Sequence, residues 1–267
     1  MITEAECKAW DRDGFFFRRG AIAPAEVVAL EAELVAAIRA DPPAAHPGQI
    51  TYLSGDNLLI YPETEPSPGA VNPEDLISKV FNCHAEGLTR ALAERPEIVE
   101  VVAGLLGPDL DCFQSQLILK NPGVIGQPWH QDSYYFPFDH QPQVGVWVAL
   151  TEATLGNGCL WVAPGSHTAG RIFEHLPDRR PAANLGYLEV VDQDTSAKIP
   201  VLMAPGDVLV FHSYLMHMSM DNVSDGRRSA MVYHYGRAGT EVLTAQAAKR
   251  LAHVNRWVPV RRQQQEA

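Results

Sequence analysis

Two residues in the stretch Trp129–Phe138, WHQDSYYFPF, carry side chains that can hold a metal ion together: His130 and Asp132. In an extended segment the side chains of residues i and i+2 point to the same face, so an imidazole and a carboxylate would converge on one ion. One more histidine from a distant strand would complete a 2-His-1-carboxylate set. Such a set leaves one face of the metal open and suits non-heme Fe(II) with a co-substrate and oxygen. His-x-Asp alone is common in surface loops, so a third ligand and a suitable frame must decide.

A second stretch supplies candidates. Pro205-Gly206-Asp207 reads as a turn and Val208–Phe211 as a buried strand, followed by His212 and His217, with Arg228 opening the next strand. Either histidine could be the third ligand on these grounds. An arginine fork binds a carboxylate through two parallel charge-assisted bonds, which a lysine ammonium cannot reproduce. Arg227 would lie on the opposite face of that strand and is expected in solvent. Tyr134, Tyr135, Phe136 and Phe138 directly follow the His-x-Asp pair and are expected as pocket walls or core. Among the other histidines, His234 is expected to pack against a helical layer and His167 to close a turn. His46, His84 and His253 are expected at the surface, and His140 and His175 near a substrate entrance. His212, if not a ligand, belongs to the core or behind a ligand.

The frame for these residues changes character along the chain. Residues 3–12 read as a helix, broken at Asp13-Gly14, with Phe15–Phe17 as a strand. A helix follows Ala23-Pro24, with Val27, Leu30, Leu34 and Ile38 at helical spacing. Residues 41–75 are rich in Pro, Gly and Asn and read as a long loop with one strand near Gln49–Leu53. Loops of that length often cover a site. A second helical region is expected from about Glu74 to Leu106, broken at Arg95-Pro96. From Leu110 onward, short apolar runs alternate with turn signals: Asp111–Lys120, Gly145–Thr151, Gly158–Ala163, Ile199–Met203, Asp207–Phe211 and Ser229–Tyr235. This pattern predicts a mainly β protein, a sandwich or jelly roll with helices of the first third packed on one face. No linker is visible, so one domain is expected over 1–267: a helical first third over 1–109, a β core of about 110–240, and an extension 241–267 whose polar end RRQQQEA should fray.

Composition narrows the function. An apolar content of 46% over 267 residues is enough for a large core. A net charge of −11 argues against nucleic acid and gives no reason for an anionic membrane partner. No run approaches the length of a membrane-spanning helix, and the acidic start MITEAECKAW lacks the apolar core of a secretion signal. The cysteines, Cys7, Cys83, Cys112 and Cys159, show no C-x-x-C spacing and read as free thiols, which fits a cytoplasmic protein. The sequence does not fix an oligomeric state.

Taken together, HQDSYYFPF (130–138), GVWVALTEATLGNGCLWVAPGSH (145–167) and GDVLVFHSYLMHMSMDN with Arg228 resemble the phytanoyl-CoA dioxygenase family of Fe(II)/2-oxoglutarate oxygenases, over roughly residues 8–240. The resemblance implies a double-stranded β-helix (jelly roll). It implies His130, Asp132 and His217 as iron ligands and Arg228 as partner of the far carboxylate of 2-oxoglutarate. Trp147 and Lys79 match positions lining the co-substrate pocket, and Gln116 and Ser219 fall where they could touch it. The implied reaction consumes O2 and 2-oxoglutarate, releases succinate and CO2, and most simply hydroxylates a small organic molecule. Desaturation, epimerisation or ring formation would share its first half. The carboxylate of Asp132 speaks against the related halogenases, which carry a small residue there. A zinc-dependent hydrolase or isomerase, or a non-catalytic metal-binding jelly roll, are the rival readings, and both leave Arg228 idle. An acidic chain repels a polyanion, so a free metabolite is favoured over a CoA thioester, with residues 41–75 and 168–195 as specificity elements.

Overall fold

The computed structural model describes residues 1–180 and 186–263. Helix α1 (Glu4–Asp13) begins at a capping box between Thr3 and Glu6 and ends at Gly14, whose φ of 85° favours glycine. Strand β1 (Phe15–Arg18) follows. Helix α2 (Pro24–Ala40) starts with proline in its first turn and buries Val27, Leu30, Leu34 and Ile38 as one stripe.

The segment expected as a loop holds a hairpin, β2 (Tyr52–Ser54) and β3 (Leu58–Pro62), so its first strand lies slightly later than expected and its second was not foreseen. The region expected to be helical from Glu74 opens instead with strand β4 (Ile77–Phe81), ended by Asn82 at φ 62°. Pairing decides this: Lys79 lies opposite Ile118 on β5, and such tertiary contacts override local preference. Helices α3 (Gly87–Ala93) and α4 (Pro96–Leu106) complete the region.

The remaining strands are β5 (Leu110–Lys120), β6 (Val144–Ala149), β7 (Leu160–Val162), β8 (His175–Pro177), β9 (Leu188–Val190), β10 (Ile199–Val201), β11 (Val208–His212), β12 (His217–Ser219), β13 (Arg228–Arg237) and β14 (Val258–Arg261). Between them lie a single helical turn, α5 (Asp132–Tyr135), and α6 (Ala245–Leu251). The major sheet runs β1-β11-β6-β13-β5-β4-β3-β2, with β14 also on β5, and the minor sheet runs β10-β7-β12. The pairings are antiparallel. The two sheets face each other as a jelly roll. The first third is thus less purely helical than expected, since β1 to β4 all belong to the major sheet. The extension contributes too, through β14, whose Val258 lies opposite Cys112. Of the end expected to fray, Arg261 closes β14 and Arg262 pairs with Asp111, while 264–267 lie outside the described residues.

Strand alternation sorts the side chains into two layers. On β13, Met231, Tyr233 and Tyr235 pack against the helices with Val144, Val146 and Val148 of β6. Ala230 and Val232 face the other way, with Trp147, Leu209 and Phe211, toward the minor sheet. The inner layer gives way at one end to a cavity of about 480 Å3.

Candidate metal centre and cavity

His130 and Asp132 flank Gln131, whose extended backbone (φ −121°, ψ 130°) turns both side chains to one side before α5 begins. His217 opens β12 and exchanges backbone hydrogen bonds with His130, at 2.9 and 3.0 Å. One ligand atom from each of His130, Asp132 and His217 lies within 4.8 Å of the others, and all three residues are buried. Asp132 Oδ1 is 3.8 Å from His130 Nε2 and 3.7 Å from His217 Nε2. Each imidazole donates Nδ1–H to a backbone carbonyl: His130 to Pro128 at 2.8 Å and His217 to Leu215 at 3.0 Å. That fixes the tautomer in which Nε2 keeps its lone pair for an ion. Burial, with His217 next, holds the His130 imidazole neutral by pushing its pKa well down. Three convergent donors and an open side match the donor set of a facial triad.

The other histidine of the second stretch is elsewhere. His212 packs on Trp10 and His167, with ring centroids at 5.1 and 5.0 Å, and burial lowers its pKa to about 3. It supports the fold near α1. Gln131 ties the triad segment to its neighbours: its amide donates to the carbonyls of Arg171 and Tyr214 and accepts from Phe173 N at 2.7 Å.

His234 departs from expectation. It does not pack against the helices but faces the cavity, with Nδ1 3.6 Å from Asp132 Oδ2. Both atoms are buried without a hydrogen-bond partner. Its even spacing from Arg228 along β13 puts both on one face, the signal that counting in twos would have caught. Phe211 backs the site, its ring 5.1 Å from that of His217. Gly145 lies opposite Phe211 in the ladder and makes room for it, since a Cβ at Gly145 would sit 2.2 Å from the Phe211 ring.

Arg228 lies at the inner end of the cavity, 1% exposed. Its Nη2 donates to Gly158 O at 3.2 Å, while Nε and Nη1 have no partner. Buried guanidinium donors are costly to leave unpaired, so this is a cradle shaped for an anion. Burial lowers the Arg228 pKa to about 10, which leaves it charged at neutral pH. Trp147 lies beside it, with the guanidinium carbon 5.6 Å from the ring centre. Lys79, Gln116 and Ser219 all line the same cavity. Lys79 approaches Gln127 Oε1 at 3.5 Å, and burial brings its pKa down to about 8. Ser219 Oγ accepts from Lys120 Nζ and from Gln127 N, both at 3.0 Å.

Lys120 and Glu63 were not singled out by sequence. Lys120 donates to Ile125 O and Met220 O as well as Ser219, which uses all three ammonium protons. The Glu63 carboxyl feels both Lys79 and Lys120, yet burial dominates and raises its pKa to about 7. Arg227, expected in solvent, is instead paired with Asp75 at 3.2 Å and Glu31 at 3.7 Å.

Of the expected aromatic walls, Tyr135 and Phe136 line the cavity. Tyr134 does not; it stacks on His175, with ring centroids at 4.1 Å. Phe138 turns away into a cluster with Phe113, Phe136 and Leu251. The single turn of α5 is the reason, since it replaces the alternation of a strand and sends neighbouring rings to different sides. His84, expected at the surface, is fully buried, bonded to Ser115 Oγ and Arg256 O at 2.7 Å each. Tyr61 reaches the cavity from the β2–β3 hairpin, and Gly186, Tyr187 and Leu188 reach it from the 168–195 segment, of which 181–185 lie outside the described residues. The outer wall comes from α6 and the turn after it, through Arg250, Leu251 and Val254.

The family model described as Phytanoyl-CoA dioxygenase (PhyH) matches residues 10–230. A probable phytanoyl-CoA dioxygenase of Caenorhabditis elegans is 33% identical over 61% of this chain and 55% of its own length. The chain spans about half the length of the first curated relatives it matches. Among solved structures, a non-heme monooxygenase, ThoJ in its apo form, superposes with a TM-score of 0.67 at 25% identity, covering 96% of this chain and 83% of that one. EctD from S. alaskensis, solved with 2-oxoglutarate and 5-hydroxyectoine, shares the fold with a TM-score of 0.64 at 22% identity, over 90% and 78% of the two chains.

Proposed function

The chain belongs to the phytanoyl-CoA dioxygenase family, and from that membership and the geometry above we propose that it is an Fe(II)- and 2-oxoglutarate-dependent oxygenase hydroxylating a small organic molecule. His130, Asp132 and His217 would hold the iron. Arg228 would take the far carboxylate of the keto acid, with Trp147 as the adjacent wall and Lys79, Gln116 and Ser219 as polar company. When bound, iron and keto acid together supply the oxidising power that places one atom of O2 in a C–H bond of the substrate, the other leaving in succinate alongside CO2. The protein's own role is to bind and orient. The two Nδ1–H bonds to Pro128 and Leu215 hold the imidazole planes. Phe211, Phe136 and Leu160 keep water from the reacting end of the cavity.

The observation that carries this reading is Arg228, buried in the metal-site cavity with two guanidinium nitrogens unpartnered. A zinc hydrolase or a passive metal store has no use for it. No helix among the described residues is long and apolar enough to cross a membrane, and the four free thiols fit a cytoplasmic setting.

The test is an anaerobic titration of metal-free protein with Fe(II) and then 2-oxoglutarate, followed in the visible. We expect a charge-transfer band on adding the keto acid. Arg228→Ala should retain the metal and weaken 2-oxoglutarate about a hundredfold, the order expected for losing a buried charge-assisted pair. Arg228→Lys should recover little of it. Iron binding without a band in the wild type would reject the oxygenase and bring zinc chemistry forward.

A further inference from the structure

The cavity's charge is not exhausted by the groups assigned above. Lys79, Lys120, Arg228 and Arg250 line it, against one carboxylate among the described residues, Asp132. This holds in a chain whose net charge is −11. An iron ion and a doubly charged keto acid cancel one another, so their binding leaves the excess of cations in place. Lys79 and Arg228 face the inner end, and Lys120 is consumed by three oxygen acceptors. Arg250 is left at the outer rim. It is exposed on one side, lines the cavity on the other, and forms no ion pair among the described residues.

Arg250 is not on a loose tail. Leu251 beside it is 5% exposed, packed with Phe113, Phe136 and Phe138. The following turn is fastened to β5: Arg256 N donates to Phe113 O, and Gln114 Nε2 to Asn255 Oδ1, each at 2.8 Å. Asn82 Nδ2 also holds His253 O at 3.1 Å. The backbone that carries Arg250 is therefore held at a defined place. Between it and Asp132 the wall is apolar, formed by Leu251, Val254 and Phe136, with His234 next to the metal ligand.

We propose that the substrate is a free carboxylic acid with an apolar body, its carboxylate paired with Arg250 at the rim and its chain or ring lying along Leu251, Val254 and Phe136 toward the metal site. Arg250 is thus a specificity-determining residue. A cavity of about 480 Å3 shared with the co-substrate limits this acid to a small molecule. The assignment rests on the oxygenase reading above.

The test uses the full chain loaded with Mn(II) and saturated with 2-oxoglutarate under argon, so that binding is read by calorimetry without turnover. Octanoate and 3-phenylpropionate are compared with octanamide, 3-phenylpropionamide and octanoyl-CoA. We expect the acids to bind about tenfold tighter than their amides, the scale of one partly exposed charge-assisted pair. Arg250→Gln should erase that preference and Lys249→Gln should keep it. Equal binding of acids and amides, a preference that survives Arg250→Gln, or tighter binding of octanoyl-CoA than of octanoate would each overturn the proposal. If 2-oxoglutarate itself fails to bind the Mn(II) protein, the oxygenase reading falls; if it binds and the acids show no preference, only the substrate assignment does.

Discussion

At the scale of single residues, two of the candidate metal ligands are legible because their meaning is local, His130 and Asp132 two apart on an extended backbone, whereas the choice of His217 over His212 came from the family resemblance. Arg228 was legible for a similar reason, as a charge at the head of an apolar strand. His234 was not, because its role depends on a parity count along β13 and on α5 bringing Asp132 opposite. Tyr134 and Phe138 were misplaced by the same turn. His234 Nδ1 lies 3.6 Å from Asp132 Oδ2, and groups behind a ligand commonly tune metal affinity. His234→Phe should weaken Co(II) about tenfold to a hundredfold in competition with a chromophoric chelator, with the far-UV circular dichroism unchanged. Unaltered affinity would reduce His234 to packing.

Elements were read well where their pattern is periodic. The stripe of α2 and the apolar runs of β5, β6, β11 and β13 each fall within a few residues of expectation. Short elements that exist through partners escape the pattern, namely β4, the second strand of the β2–β3 hairpin, and α6, a helix of seven residues too short to stand alone. The β6–β11 pair shows how tightly partners are matched. Phe211 occupies the space above Gly145, and a methyl there would meet the ring at 2.2 Å. Gly145→Ala should cost about 1–3 kcal/mol, the range for overpacking a dense core, read as a lower urea midpoint. Because Phe211 backs His217, metal affinity should fall with it. A variant as stable as the wild type would mean that the ring has room to retreat.

For the molecule as a whole, a chain of net charge −11 encloses a cavity whose charged side chains are mostly cations, a contrast that net charge hides. Glu63 sits beside that cavity with its pKa raised to about 7 from 4.5 by burial. The folded state therefore keeps a proton that the unfolded chain releases, so this stabilising contribution is complete below pH 4.5 and is lost as pH rises through 7. Glu63→Gln cannot ionise. Relative to wild type it should gain on the order of 1 kcal/mol of unfolding free energy between about pH 4 and about pH 8. A difference flat in pH across urea melts would contradict this. The edge of the major sheet carries a different consequence. Phe15 pairs with Phe211, and among the described residues β1 pairs only with β11, so contacts of this span are slow to form. On the ribosome, three consecutive phenylalanines emerge long before their partner strand exists. An apolar edge left waiting is open to neighbouring chains. The nascent protein should therefore depend on holding chaperones, and its yield on the rate of synthesis, in a way that the finished molecule does not reveal.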